Sequence, residues 1–81
     1  MKFTVIFRDG EKTITFSNIS SIEYSGSYGS VEKISNEEIL TYDFAPEGVY
    51  HLKEDNANHV VRLDSSNKSN AVISVSVLQE N

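Results

Sequence analysis

The chain predicts a mainly β domain: a small antiparallel barrel, roll or sandwich of five to seven short strands, with at most one short helix. Three observations carry this. Residues 3–16 alternate apolar and polar side chains on either side of Asp9-Gly10, the strongest short-range signal for a hairpin. Residues 49–63 repeat the pattern around Asp55-Asn56-Ala57-Asn58, and residues 71–78 alternate once more through Ile73, Val75 and Val77. Nowhere does an apolar spacing of three to four persist long enough for an amphipathic helix.

Taken in order, Phe3, Val5 and Phe7 face Ile14 and Phe16 across a two-residue Asp9-Gly10 turn of type I′, with Phe7 opposite Lys12, Val5 opposite Ile14 and Phe3 opposite Phe16. This register puts every large apolar residue of the hairpin except Ile6 on one face. Asn18-Ile19-Ser20-Ser21 then connects to a third strand, Ile22-Glu23-Tyr24, folding back as a meander. Residues 25–30 are a loop by composition and Val31–Ile34 a short strand. Ser35 and Glu38 have the spacing of a capping box, so residues 36–41 are expected to form one or two helical turns before Pro46 blocks continuation. That is too short to cover a sheet, which disfavours a β-grasp arrangement. With Asn56-Ala57 at the second tip, Leu52 faces Val61 and Tyr50 faces Leu63, and a polar loop over residues 65–70 leads into the last strand. The order strand, turn, strand, Ser-Asn, strand thus occurs twice, over residues 2–24 and 49–78, within a single domain spanning residues 1–81. The expected core is Phe3, Val5, Phe7, Ile14, Phe16, Ile22, Leu52, Val61, Leu63, Ile73, Val75 and Val77.

Size and composition limit the activities open to such a domain. An 81-residue chain with 38% apolar residues supports only a thin core, and the absence of cysteine removes disulfides, thiol catalysis and thiolate metal sites. The amino terminus enters strand alternation directly and no apolar run is long enough to span a bilayer, so the expected location is cytoplasmic. The net charge of −5 is unevenly spread: residues 1–22 sum to +1, residues 23–47 to −5 and residues 48–81 to −1. Direct binding of nucleic acid through its phosphate backbone is not expected, because that requires clustered Lys and Arg, which this chain lacks.

The run Phe7-x-Asp9-Gly10, followed by Thr15-Phe16-x-Asn18-Ile19-x-Ser21-Ile22-Glu23-Tyr24, resembles the opening of small uncharacterised proteins of Gram-positive bacteria and their prophages. The resemblance covers residues 1–24. It implies a phage or mobile-element origin and brings no functional residue with it.

No catalytic constellation is legible. Glu37 and Glu38 are sequence neighbours that point apart, and no nucleophile elbow, Walker loop or dinucleotide fingerprint occurs. His51 and His59 alternate onto opposite faces of the second hairpin, His59 across from Glu54, so they cannot share a metal. No enzyme activity, cofactor or metal is therefore expected. Attention falls on the acidic middle segment, which holds all four tyrosines, six acids and Phe44 between residues 23 and 50. Glu32, Glu37, Glu38, Tyr42, Asp43, Phe44 and Glu47 are the candidate contacts to a basic protein partner, since Tyr combines a rigid apolar body with a polar tip. The competing assignment is that Tyr24, Phe44 and Tyr50 close a small core while the acids keep the domain in solution. Three functions fit: a module that engages or inhibits a host protein, a homo-oligomer joined through edge strands, or a nucleic-acid mimic whose carboxylates stand in for phosphates.

Overall fold

Period-two alternation with β-branched and aromatic residues becomes strand throughout. The computed structural model describes residues 1–26, 29–63 and 73–80. It contains seven strands: β1 (Phe3–Asp9), β2 (Lys12–Ile19), β3 (Ser21–Ser25), β4 (Val31–Ile34), β5 (Gly48–Glu54), β6 (Ala57–Leu63) and β7 (Ile73–Gln79). They form two antiparallel sheets, ordered β2-β1-β7 and β4-β3-β5-β6, that stay separate and share one core. The barrel is thus set aside in favour of an open roll or sandwich. Among the described residues no helix is long and apolar enough to cross a membrane. The expected loop over 65–70, the start of the last strand at 71–72, and Tyr28 lie outside the described residues.

Both hairpins form, each displaced from the expected pairing. Asp9 pairs with Lys12, Phe7 with Ile14 and Val5 with Phe16, so the tip is Gly10-Glu11 rather than Asp9-Gly10. Only Gly10 takes a positive φ there, 63°, as a type II′ turn requires, and not both central residues as in type I′. In the second hairpin Glu54 pairs with Ala57, Leu52 with His59 and Tyr50 with Val61; the tip is Asp55-Asn56, with Asp55 at φ 49°. Each displacement moves a residue's partner by two, an even slip that preserves the face, which is why the expected burial survives. A Cβ on Gly10 meets nothing within 4 Å, so any cost of substitution there is conformational. Gly10→Val is expected to lower stability by about 1–3 kcal/mol, read as a fall in the thermal midpoint, because a β-branched residue is strained at positive φ.

The meanders do not form. β3 leaves the first hairpin to pair with β5, with Ile22 opposite Leu52 and Tyr24 opposite Tyr50, while β7 runs back along β1, with Val77 opposite Val5 and Val75 opposite Phe7. Each hairpin's first strand is flanked by the strand that follows the other hairpin. A bulge in β2 prepares this departure. Between the pairs Val5–Phe16 and Phe3–Ile19, β2 carries one residue more than β1, and Asn18 absorbs it at φ 59°, a conformation Asn tolerates. The extra residue turns Ile19 inward to full burial. Asn18 N–H, turned out of the regular ladder, donates to Glu80 Oε2 at 2.8 Å, and Thr4 Oγ1 donates to the same oxygen at 2.8 Å. These two bonds, the Asn18 amide first, hold the Glu80 carboxyl below its ordinary pKa.

The buried core consists of Phe3, Val5, Phe7, Ile19, Ile22, Ile34, Ile39, Tyr50, Leu52 and Leu63. Phe16, Val61, Ile73, Val75 and Val77 are partly buried against it, but Ile14 is exposed, because it lies near the tip of an edge strand. Residues 36–41 are turns rather than helix. Glu38 N–H bonds Ser35 O and Thr41 N–H bonds Glu38 O, two successive three-residue closures. The capping box does not assemble either: Ser35 Oγ meets Glu38 Oε1 at 3.2 Å instead of a backbone amide.

Candidate functional site

The acidic segment follows edge strand β4 and runs through the 35–47 turns to the start of β5. Its backbone is tied down by buried and aromatic side chains. Ile39 is fully buried. Tyr50 Oη donates to Ala45 O at 2.7 Å and Tyr24 Oη to Glu47 O at 2.9 Å. Tyr42 Oη donates to Glu32 Oε2 at 3.0 Å, and its ring stands 5.0 Å from that of Phe44. Phe44 in turn lies 6.2 Å from Tyr50, which contacts Tyr24 at 4.9 Å and Phe7 at 5.6 Å. An aromatic chain therefore runs from the segment into the core. Burial, then the neighbouring Tyr24 and Tyr42, drives the Tyr50 hydroxyl far above its usual pKa; partial burial, then the Glu32 carboxylate, raises that of Tyr42.

The seven candidate residues consequently divide. Tyr42 and Phe44 are partly buried and pack on the core, leaving only part of each ring for a partner. Glu32, Glu37, Glu38, Asp43 and Glu47 are all exposed. Among the described residues none of the five forms an ion pair; the salt bridges present are Lys2–Asp55 at 3.0 Å and Glu54–His59 at 2.9 Å. The result is a set of uncompensated carboxylates on a backbone held by tyrosine hydroxyls.

His59 and His51 do point to opposite faces. His59 lies opposite Leu52 on the inner side, 4.9 Å from the Phe16 ring, while His51 lies opposite Val60 on the outer side. Among the described residues no three His, Asp or Glu side chains are grouped to hold a metal ion.

A second surface escaped the linear reading. The outward residues of the four-stranded sheet form three cross-strand rows: Ser21-Lys53-Asn58, Lys33-Glu23-His51-Val60, and Val31-Ser25-Val49-Arg62. Lys33, Lys53 and Arg62, together with His51, share this face with one acid, Glu23, although the protein as a whole is acidic. Three shallow depressions open on or beside it. One of about 470 Å³ is lined by Lys33 and Glu37, one of about 300 Å³ by Arg62 and Glu47, and one of about 170 Å³ by Lys53, His51 and Glu23. The sequence signal existed only as alternation: each cation occupies an outward position of its strand, yet the three strands are far apart in the chain. Comparison with protein-family models, curated proteins and solved structures returns no match.

Proposed function

We propose that the protein is a non-enzymatic binding module, of phage or mobile-element accessory type, that engages or inhibits a basic host protein through Glu32, Glu37, Glu38, Asp43 and Glu47. One observation carries this reading: among the described residues the five exposed carboxylates form no ion pair, and the segment that holds four of them has its backbone fixed by Ile39 and the hydroxyls of Tyr24 and Tyr50. Fixing the backbone before encounter reduces the ordering cost of association, and unpaired charge is available to steer a partner of opposite sign. Tyr42 and Phe44 add partly exposed aromatic surface beside the acids. A nucleic acid is a poor partner for this surface because the phosphates would meet carboxylates.

The test replaces Glu37, Glu38 and Asp43 by Lys. All three are exposed and outside the core, so the thermal midpoint should stay close to that of the parent protein. Partner capture from a host lysate should be lost, and with purified partner the association rate should fall at low salt. Changes at Lys2, Thr4 and Thr15 on the first sheet serve as the control and should leave capture intact. Normal binding by the triple variant, with loss in the control, would move the interface to the first sheet and overturn the proposal.

A further inference from the structure

The outer face of the second hairpin carries two cations, Lys53 and Arg62, that form no ion pair among the described residues. Lys53 on β5 lies opposite Asn58, and Arg62 on β6 lies opposite Val49, with the pair His51–Val60 between them. Lys53, His51, Val60 and Arg62 are all exposed, Val60 at 61%. Each cation borders its own depression. The one beside Lys53 holds about 170 Å³ and is shared with His51 and Asn58; the one beside Arg62 holds about 300 Å³ and is shared with Val49. The backbone beneath is fixed, because β5 pairs on both sides, with β3 and β6. Ser20 N–H and Ser20 Oγ also both donate to Lys53 O, at 2.8 and 3.1 Å. The rows of Lys53 and Arg62 are four residues apart along β5, a separation of about 14 Å in an antiparallel strand.

An extended polypeptide laid along this hairpin has the same pitch as the strands beneath it, so its side chains at i, i+2 and i+4 fall over the three rows in turn. From this match we propose that the outer face of β5–β6 docks an extended segment of an acidic partner protein, with carboxylates at i and i+4 and an apolar side chain at i+2. Charge complementarity decides the occupant: the carboxylates meet Lys53 and Arg62, while the apolar side chain covers Val60. His51 adds a ring N–H beside the Lys53 seat, and Lys33, in the same row as His51, adds to the positive field. Glu23 stands next to His51 in the middle row, which disfavours a third carboxylate at i+2. Glu47 borders the Arg62 depression, so that contact depends on the paired N–H bonds a guanidinium gives a carboxylate. A nucleic acid is the weaker occupant. It brings a charge at every nucleotide, finds no aromatic ring in the three rows for base stacking, and is repelled at a distance by the net charge of −5. This proposal uses a different surface from the acidic segment and stands or falls separately.

The experiment is an amide NMR titration of the isotope-labelled chain at low salt with a short synthetic peptide. The peptide carries two Glu four positions apart, Val midway between them and Ser elsewhere. Its isomer has one Glu moved by a single position, so that the two acids face opposite sides. The amides of Lys53, Val60 and Arg62 should shift saturably with the first peptide, and added salt should weaken its binding. The isomer should bind about threefold or more weakly, having lost one of two charged contacts. Lys53→Glu/Arg62→Glu should weaken binding of the first peptide by about tenfold or more, since like charges then meet at both ends. Glu23→Gln should strengthen it by about two- to fivefold, because the acid beside the site is gone. Circular dichroism melts on both variants check that the fold persists. The triple Lys variant of the acidic segment should bind the peptide at least as tightly as the parent, so loss of host-partner capture there leaves this face untouched. Absence of shifts at Lys53, Val60 and Arg62 with millimolar peptide, or equal affinity for the isomer, overturns the proposal. So does tighter binding of single-stranded DNA than of the peptide, abolished by Lys53→Glu/Arg62→Glu, because the face would then belong to a nucleic acid.

Discussion

Tyr50→Ala is expected to cost about 3–5 kcal/mol, the usual penalty for removing a buried aromatic side chain, and so to remove much of the stability of an 81-residue domain. Tyr50 is 1% exposed and stands where both sheets and the acidic segment converge: its ring meets Phe7 from β1, Tyr24 from β3 and Phe44 from the segment. Loss of the ring takes one packing partner from each of the three. Loss of the hydroxyl alone, in Tyr50→Phe, leaves the ring packing intact but strands Ala45 O, for about 1–3 kcal/mol if water does not replace the donor. Denaturant titration separates the two variants. A Tyr50→Phe protein that unfolds as readily as Tyr50→Ala would show that the hydroxyl bond, and not the ring, holds the junction.

Gly48→Ala should be the most damaging small substitution in the molecule. Gly48 sits at φ 106°, where an L side chain is strained, and a Cβ there would lie 2.7 Å from the Tyr24 ring and 2.8 Å from Ser25 O. The strained backbone costs about 1–3 kcal/mol by itself. The clash adds to it because Ser25 O belongs to the backbone of the paired strand and cannot swing aside as a side chain does. The change also pushes on Tyr24, whose hydroxyl holds Glu47 O, so the damage should reach the acidic segment. Thermal unfolding should show a midpoint far below that of Gly10→Val, since Gly10 has open space around it and Gly48 has none. Equal midpoints would mean the close approach of Tyr24 and Ser25 to Gly48 relaxes freely.

The contrast between these glycines marks what the sequence makes legible. Gly10 stands in a dipeptide with a known turn preference, so its role is readable even though the tip falls one residue later. Nothing in Glu47-Gly48-Val49 announces that Tyr24, more than twenty positions away, will press on it. The strands were legible because alternation is local, and face assignment survived wrong registers because both errors were even. Pairing between β1 and β7, or between β3 and β5, leaves no local trace, so the expected meanders were the wrong partners for the right strands. Ile19 was hidden by the bulge that reverses its facing. Ile39 was hidden because the pair Ile39-Leu40, standing among turns, has no period to show which of the two turns inward. For the candidate site, composition located the carboxylates, but it could not divide the tyrosines into those that bind outward and those whose hydroxyls fasten the chain. The basic face was invisible for the same reason as the sheet order: it is assembled from strands distant in sequence.

The crossing of the two hairpins' third strands has a consequence for how the molecule comes into being. Of the seven strands β1 is made first and has β2 beside it in the chain, but its other edge is completed only by β7, the last of the seven. Until then the first sheet is a lone two-stranded ribbon, marginal in water, with Phe3, Val5 and Phe7 lacking the residues that cover them. The second sheet differs: its four strands β3 to β6 are consecutive in the chain, so all of its pairings are available before β7. Only the first layer therefore waits for the last of the seven strands, which closes it by pairing with the first. Closure of the shared core waits for the pairing of β1 with β7, a contact between distant parts of the chain of the kind that slows folding.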